Sequence, residues 1–363
     1  MIRTKRSNLF DSLAKKAART ATFFAVGGFL CAATGVFASN IVTNPTDFAV
    51  YAGGKVSTGA RVTLGGDVAA DGSFWVDPDS TVQGDVYTNR GDFSLSGGST
   101  IHGNVITAGN AYLNSNATVT GDIQAAKKGD LAAYATLGGN LVAGKSIYIN
   151  PNATVGGDVT PNGNPDTFSI AFRDNPGFTY GSTNLGYLAG GQTYNLTAGD
   201  YTNLNVGSNA TIVLTAGEYN FSRLDWTGSG TQFVADTSMG DIILSFANGA
   251  SIGSDVTFTN TGGNDFLFQS GGRVSFGARA HLDGSIYVFG SGDLTLGASA
   301  FVSGQVYTEG DFFLGNDSIV RGSGSGITTS IPSPTAVSAA LLLCIAGVIK
   351  RTRRPQAAAT SAA

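Results

Sequence analysis

The chain has 363 residues, 42% of them apolar and only 13% charged, which excludes a disordered polyelectrolyte and a coiled coil. Its 52 glycines are about twice the usual share but follow no Gly-X-Y period, which excludes collagen and leaves an all-β protein with many tight turns. Both cysteines, Cys31 and Cys344, fall in terminal apolar segments, so a body trimmed of those segments has no disulfide and no thiolate chemistry.

Residues 1–38 read as a secretory signal peptide. Arg3, Lys5, Arg6, Lys15, Lys16 and Arg19 face a single acid, Asp11, and a mostly apolar stretch runs from Ala21 to Phe37. Val36 and Ala38 are small enough for the −3 and −1 positions of a cleavage site, which makes Ser39 the first mature residue. Cys31 follows Phe29 and Leu30, not small residues, which argues against a lipoprotein signal. An ordinary first helix is the alternative, and the glycines of this segment disfavour it.

Residues 39–160 carry a repeat. Gly-(Asp/Asn)-aliphatic recurs at Gly66-Asp67-Val68, Gly84-Asp85-Val86, Gly103-Asn104-Val105, Gly121-Asp122-Ile123, Gly139-Asn140-Leu141 and Gly157-Asp158-Val159, at a nearly constant step. Counting each unit from its glycine, apolar residues fill positions 3, 11 and 17, with mostly small partners two residues away at 5 and 15. A spacing of two puts both members of a pair on one side of a short strand, and a spacing of six between pairs brings three strands round one turn. The unit is therefore a coil of a triangular parallel β-helix, a β-solenoid of about 18 residues per coil. A β-sandwich would lack this constancy of register. The repeat resembles that of bactofilins, polymer-forming bacterial proteins with a triangular β-helix, over Gly66 to Val159. The resemblance implies a shape more than a role, because bactofilins usually lack an export signal. Left-handed hexapeptide helices place the small residue before the large one; positions 15/17 obey that order and 3/5 reverse it, so handedness stays open.

Residues 161–195 break the pattern. Pro161, Pro165 and Pro176, with Asn162, Asn164 and Asn175, mark a long excursion. The repeat resumes over 196–322, less regular and richer in phenylalanine: Leu196-Thr197-Ala198-Gly199-Asp200-Tyr201 returns one step later as Leu214-Thr215-Ala216-Gly217-Glu218-Tyr219. A Gly/Ser linker over 323–330 leads to Pro332-Ser333-Pro334, an apolar run from Ala336 to Ile349, and the basic cluster Lys350-Arg351-Thr352-Arg353-Arg354. The run rises only ~21 Å as a helix, short of a ~30 Å hydrocarbon core. This order over 331–354 resembles the PEP-CTERM sorting signal, with Ser333 standing where that family usually has glutamate. The resemblance implies removal of the tail by an exosortase-type membrane protease; a plain C-terminal anchor is the alternative, and both leave the body outside by the positive-inside tendency. Residues 355–363 read as a disordered tail.

Trimming both ends changes the charge. Six bases lie before Ser39 and four beyond Ile349, so 11 of 21 remain against 24 of 25 acids, near −13. That excludes a basic nucleic-acid footprint and disfavours anionic lipid.

Candidate chemistry is sparse. Asp67, Asp85, Asp122 and Asp158, interleaved with Asn104 and Asn140, form a turn column whose oxygens suit Ca2+; the same residues are good turn formers in their own right. His102 occupies a coil junction, where a left-handed-helix acyltransferase would need a catalytic histidine, and where other units carry Gln83, Thr120, Gly138 and Gly156. Arg273, Arg279, His281 and Asp283 are the densest polar group, either a groove for acidic sugar or a solvated face. An ice-binding face needs a threonine ladder, and at position 5 Thr88 and Thr107 give way to Ala125 and Ala143. The expectation is a non-enzymatic exported structural or adhesive protein of the cell surface or extracellular matrix, needing no cofactor. Its expected partners are the export machinery, surface polysaccharide and copies of itself. The alternative is a carbohydrate-active enzyme or glycan-binding protein on the same scaffold.

Overall fold

The computed structural model describes residues 40–43 and 45–322, within one compact unit, Val36–Ala363. The predicted signal, linker, sorting segment and tail, with Ala38, Ser39, Pro332, Ser333 and Pro334, lie outside the described residues.

The six-residue spacing builds the expected coil. In the unit that starts at Gly66, strands Val68–Ala70, Phe74–Val76 and Thr81–Val82 form three walls, and each pairs in parallel with its counterpart in a neighbouring unit. We call these faces one, two and three. Val68, Ala70, Phe74, Val76, Ser80 and Val82 are all buried, so the inward side chains come in pairs two residues apart. Face by face, the strands form three sheets of 13 strands each, an all-β parallel β-solenoid.

Chain order and stacking order differ. The first coil, with strands Val50–Ala52, Val56–Thr58 and Thr63–Leu64, pairs on one side with the second coil and on the other with the last one, Val306–Thr308, Phe312–Leu314 and Ile319–Val320. The chain thus starts in the middle of the stack and winds to one end at Val159–Pro161. It crosses to the opposite end at Tyr187–Leu188 and winds back until its last coil covers the first. This closure pairs two strand edges per face that would otherwise stand open. At the seam the rings of Tyr51 and Tyr307 stack at 5.2 Å, and the Gln305 amide donates to the carbonyls of Pro45 and Phe48 at 2.7 and 2.6 Å.

The excursion is the crossing. Thr183 bridges to Tyr201 one coil beyond the thirteenth strand of face one, so from Pro161 thirteen strand spacings require ~62 Å, and the residues from Pro161 to Thr183 would reach only ~33 Å as a helix but up to ~73 Å extended. The segment must therefore run nearly straight, which its prolines favour. It lies along face one as a strap. Asp166 and Gln124 exchange hydrogen bonds at 2.6 and 3.0 Å, Phe168 packs on Tyr87 and Phe48, and Phe178 packs on Phe289. Thr167–Ile170 pairs in parallel with Asn40–Thr43, which extends the cover by one strand.

The coils from 181 to 322 widen and narrow again. Along face three, Thr193, Thr211, Gln232, Thr257, His281, Phe301 and Ile319 are aligned partners in successive coils. Their separation in the chain grows up to the step from Gln232 to Thr257 and by Ile319 has fallen back to that of the regular stretch. Where the coil is longest the strands reach five residues, as in Gln232–Asp236 and Ile242–Phe246, and the wider interior is filled by Phe233, Phe246, Phe258 and Phe268.

Candidate functional site

The strap divides the surface into one covered wall and two open ones. Beneath it, Tyr51, Ala69, Tyr87, Ile106 and Tyr307, which point outward from face one, are buried in a second apolar cluster with Phe48, Phe168 and Phe289. Burial raises the pKa of the Tyr51 and Tyr87 phenols and pushes that of Tyr307 up to about 12, so all three stay protonated; Tyr51 and Tyr307 hydrogen-bond the strap, while the Tyr87 hydroxyl donates to Asp85 of its own coil and its ring packs on Phe168. The Tyr51 hydroxyl donates to the Ala171 carbonyl at 2.9 Å, and the Tyr307 hydroxyl accepts from the Arg173 backbone N–H at 3.0 Å. The Arg173 guanidinium lies 4.3 Å from the Tyr287 ring centroid. These groups hold the strap.

The turn column shows what its Asp/Asn alternation does. The backbone N–H of Asp85 donates to Asp67 Oδ1 at 2.8 Å, that of Asn104 to Asp85 Oδ1 at 2.6 Å, and that of Asp122 to Asn104 Oδ1 at 2.8 Å. The column continues through Asn140 and Asp158 in the same way. The side-chain amides of Asn104 and Asn140 also donate to the carboxylates of Asp85 and Asp122, at 3.1 Å each, so an amide stands between two acids and relieves their repulsion. Among the described residues no three His, Cys, Asp or Glu side chains converge as a metal site.

The other predicted polar residues are spread round the prism. Arg279 makes a bidentate pair with Asp255 at 2.6 and 2.7 Å, Arg273 reaches Asp293 at 3.7 Å, and His281 bonds Asp283 at 2.9 Å and stacks on Phe301. They pair off two by two instead of converging on a common point. His102 is exposed at its corner. A cleft of about 560 Å³ opens beside Asp241, Asp265 and Asp283; the Asp265 N–H donates to Asp241 Oδ1 at 3.0 Å, so that carboxylate also serves to tie coils together.

The open faces carry repeated side chains. On face three, Thr63, Thr81, Thr100, Thr118, Thr136 and Thr154 are aligned partners in six successive coils and point outward. This column was legible at position 16 of the repeat, next to the buried aliphatic at 17. Position 5, the other threonine-bearing position of the repeat, faces the core: Thr88 and Thr107 are fully buried and hydrogen-bond each other at 2.6 Å. On face two, the aligned outward residues are Phe313, Ser57, Trp75, Ser94, Tyr112, Asp130 and Tyr148, an alternation of ring and small polar residue that crosses the seam.

Comparison with known proteins adds little to this geometry. No protein-family model matches the chain, and no curated protein matches it. Among solved structures, an ice binding protein from an Antarctic bacterium, Flavobacteriaceae, aligns over 76% of this chain and 96% of its own, at 12% identity and a TM-score of 0.26. A likeness that low bears on neither the site nor the activity of this chain. No helix among the described residues is long and apolar enough to cross a membrane.

Proposed function

We propose that the chain is a non-enzymatic, exported structural or adhesive protein of the cell surface or extracellular matrix. In this reading it works through long repetitive walls. One observation carries it: outside the strap the narrow stretch repeats its outward side chains, threonine in six successive coils of face three and ring alternating with small polar residue on face two, while the ionisable groups pair off two by two. Catalysis of glycan cleavage would require a converging acid and base, with pKa values set apart by their surroundings. The basic N-terminal segment and the Pro-x-Pro, apolar and basic run at the other end support export, with retention by the tail until an exosortase-like protease removes it. The open edges at Val159–Pro161 and Tyr187–Leu188 support end-to-end association of copies, and Ca2+ along the aspartate column remains a weaker part of the same proposal. The test is incubation of the secreted chain with neutral and acidic polysaccharides. The expected result is retention on a polymer or on a second copy with no chain shortening; newly formed reducing ends would overturn the reading.

The threonine column supports a second reading. Six aligned hydroxyl and methyl groups at ~4.8 Å on a rigid wall hold water in a regular row, the property that adsorption to ice requires. The neighbouring position is occupied by Gly65, Gln83, His102, Thr120, Gly138 and Gly156, mostly small. Recrystallisation of ice in the presence of the chain, compared with a Thr100→Lys and Thr118→Lys variant, tests it. The parent is expected to keep crystals small and the variant to lose the effect; equal crystal growth with parent and with buffer removes the reading.

A further inference from the structure

We propose that the alternating strip on face two is a binding surface for an extended, uncharged β-1,4-linked polysaccharide, with Phe313, Trp75, Tyr112 and Tyr148 as stacking platforms. The inference deepens the adhesive reading above and rests on it. Successive coils are ~4.8 Å apart, so rings on alternate coils recur every ~9.6 Å along a straight line. In an extended β-1,4-linked chain each pyranose is turned over relative to the last, and the same sugar face returns once per disaccharide, at close to this distance. A helical α-linked glucan or a polymer of different rise meets one ring and misses the next.

The rings are presented for contact. Trp75 and Tyr148 are 46% and 58% exposed, and Tyr112 and Phe313 are half-buried. Aromatic faces stack on the axial C–H groups of a pyranose, and the smaller Ser57, Ser94 and Asp130 between them leave room for the alternate sugars while offering hydroxyl and carboxylate partners. Lys55 orders the first pair of platforms: its ammonium lies 4.9 Å from the Phe313 ring centroid and 5.6 Å from that of Trp75, and 3.8 Å from Asp311. Phe313 comes from the last coil and Trp75 from the second, so this pair exists only when the chain ends have stacked.

Charge selects an uncharged polymer. The exported body is near −13, which repels polyuronates and sulfated glycans at low salt. Beside the strip, neutral Ser73, Asn110 and Ser146 stack in one column with Asp92 and Lys128, one acid and one base, and Lys55 between the first two rings is paired with Asp311, so the strip has no surplus of positive charge to hold a polyanion. Four weak contacts on one rigid line add through effective concentration, so the strip needs no deep pocket.

The experiment is retention of the full secreted chain on amorphous cellulose and on chitin, with starch and polygalacturonate as comparison polymers. Binding to at least one β-1,4-linked polymer is expected, and each of Trp75→Ser and Tyr112→Ser is expected to weaken it by about tenfold. The deciding variant is Ser94→Tyr with Tyr112→Ser, which keeps the number of rings but moves one by a single coil; it is expected to bind as poorly as Tyr112→Ser alone. Tyr134→Ser removes an exposed ring off the strip and should bind as the parent does, and circular dichroism confirms that every variant folds. If the moved ring binds as well as the parent, or if starch is held as tightly as cellulose and chitin, the strip is overturned while the adhesive reading survives. If no β-1,4-linked polymer is retained, the strip also fails; if reducing ends appear, the adhesive reading fails with it.

Discussion

The two stretches of solenoid solve one packing problem with different parts. Between residues 49 and 163 every coil keeps the same length to within a single residue, the strands have two or three, and most inward pairs set a large aliphatic beside a small residue, as Ile123 beside Ala125 and Leu137 beside Ala135, with phenylalanine inside at Phe74 and Phe93. Between 181 and 322 the coil lengthens, most of all from Gln232 to Thr257, the strands grow to five, and the filler becomes phenylalanine: Phe233 and Phe258 stack at 4.4 Å with planes 8° apart, and Phe221 and Phe246 at 5.5 Å. A longer perimeter encloses a wider prism. Interiors tolerate few voids, so side-chain volume must rise with coil length. The difference teaches that the volume of the core filler rises with coil length. A solenoid can change girth along its axis while the strand spacing and the parallel register persist.

The largest test of that link is a cavity in each stretch at an equivalent place. Phe258 and Ile101 both point inward from face three. Phe258→Ala should cost ~3–5 kcal/mol of unfolding free energy, against ~0.5–1.5 kcal/mol for Ile101→Val. Denaturant melts give the sizes, and limited proteolysis shows whether the wide stretch opens before the narrow one, as near-neighbour coupling between coils predicts. A cost below that of Ile101→Val for the phenylalanine would break the link between girth and filler.

The narrow stretch was legible because its repeat is regular enough to be read as geometry. The inward sets at positions 3/5, 9/11 and 15/17 follow from a spacing of two within pairs and six between them, and Val68 with Ala70, Phe74 with Val76 and Ser80 with Val82 are buried accordingly. The stacking order was not legible. Val50 pairs with both Val68 and Val306, and a contact between the two ends of the solenoid chain leaves no mark in a local period. Gly304-Gln305-Val306-Tyr307-Thr308 follows the pattern of Gly84-Asp85-Val86-Tyr87-Thr88, which reports two coils of like girth and says nothing of which edges meet. The strap hid for the same reason: prolines and asparagines announce an excursion, while its destination depends on Tyr51, Tyr87 and Tyr307, whose outward apolar side chains on face one were the available signal. The open-face columns at positions 16 and 10 stand in the sequence as plainly as the core ladder, but outward polar residues carry no burial pattern that sets them apart from ordinary turn and surface residues.

A mid-sized contrast comes from the corners. At Gly121 an added Cβ would lie 2.7 Å from the Gly103 carbonyl oxygen and 2.4 Å from Asn104 Oδ1, so the coil below leaves no space; at Gly263, in a longer corner of the wide stretch, nothing lies within 4 Å. Gly121→Ala should destabilise by ~1–3 kcal/mol through overpacking, and Gly263→Ala should stay within ~0.5 kcal/mol of the parent, as surface changes usually do. Thermal melts of the two variants measure the contrast. Equal melting points would mean that the short corners have slack, and that coil length in the narrow stretch is not fixed by contact between stacked turns.

The smallest effect asks whether the seam differs from any other step in the stack. Arg61 and Asp317 form a bidentate pair across it at 2.6 and 2.9 Å, and Arg279 and Asp255 form the same pair between two coils of the wide stretch. Hydrogen bonding to the guanidinium lowers the pKa of each carboxyl below its ordinary value of 3.8. A depressed folded-state pKa stabilises the fold fully above the unfolded value, and the contribution is lost as pH falls through the depressed one. Both pairs are exposed, so the contribution is small and weakens with salt. Asp317→Asn and Asp255→Asn should each flatten the loss of melting temperature below pH 3.8 slightly and to the same degree, because the seam is held by the same parallel ladder as every other step. A distinctly larger change for Asp317→Asn, with early proteolysis between the chain ends, would mean that the last coil is clipped to the first by its charges, and that the stack behaves as two solenoids in contact.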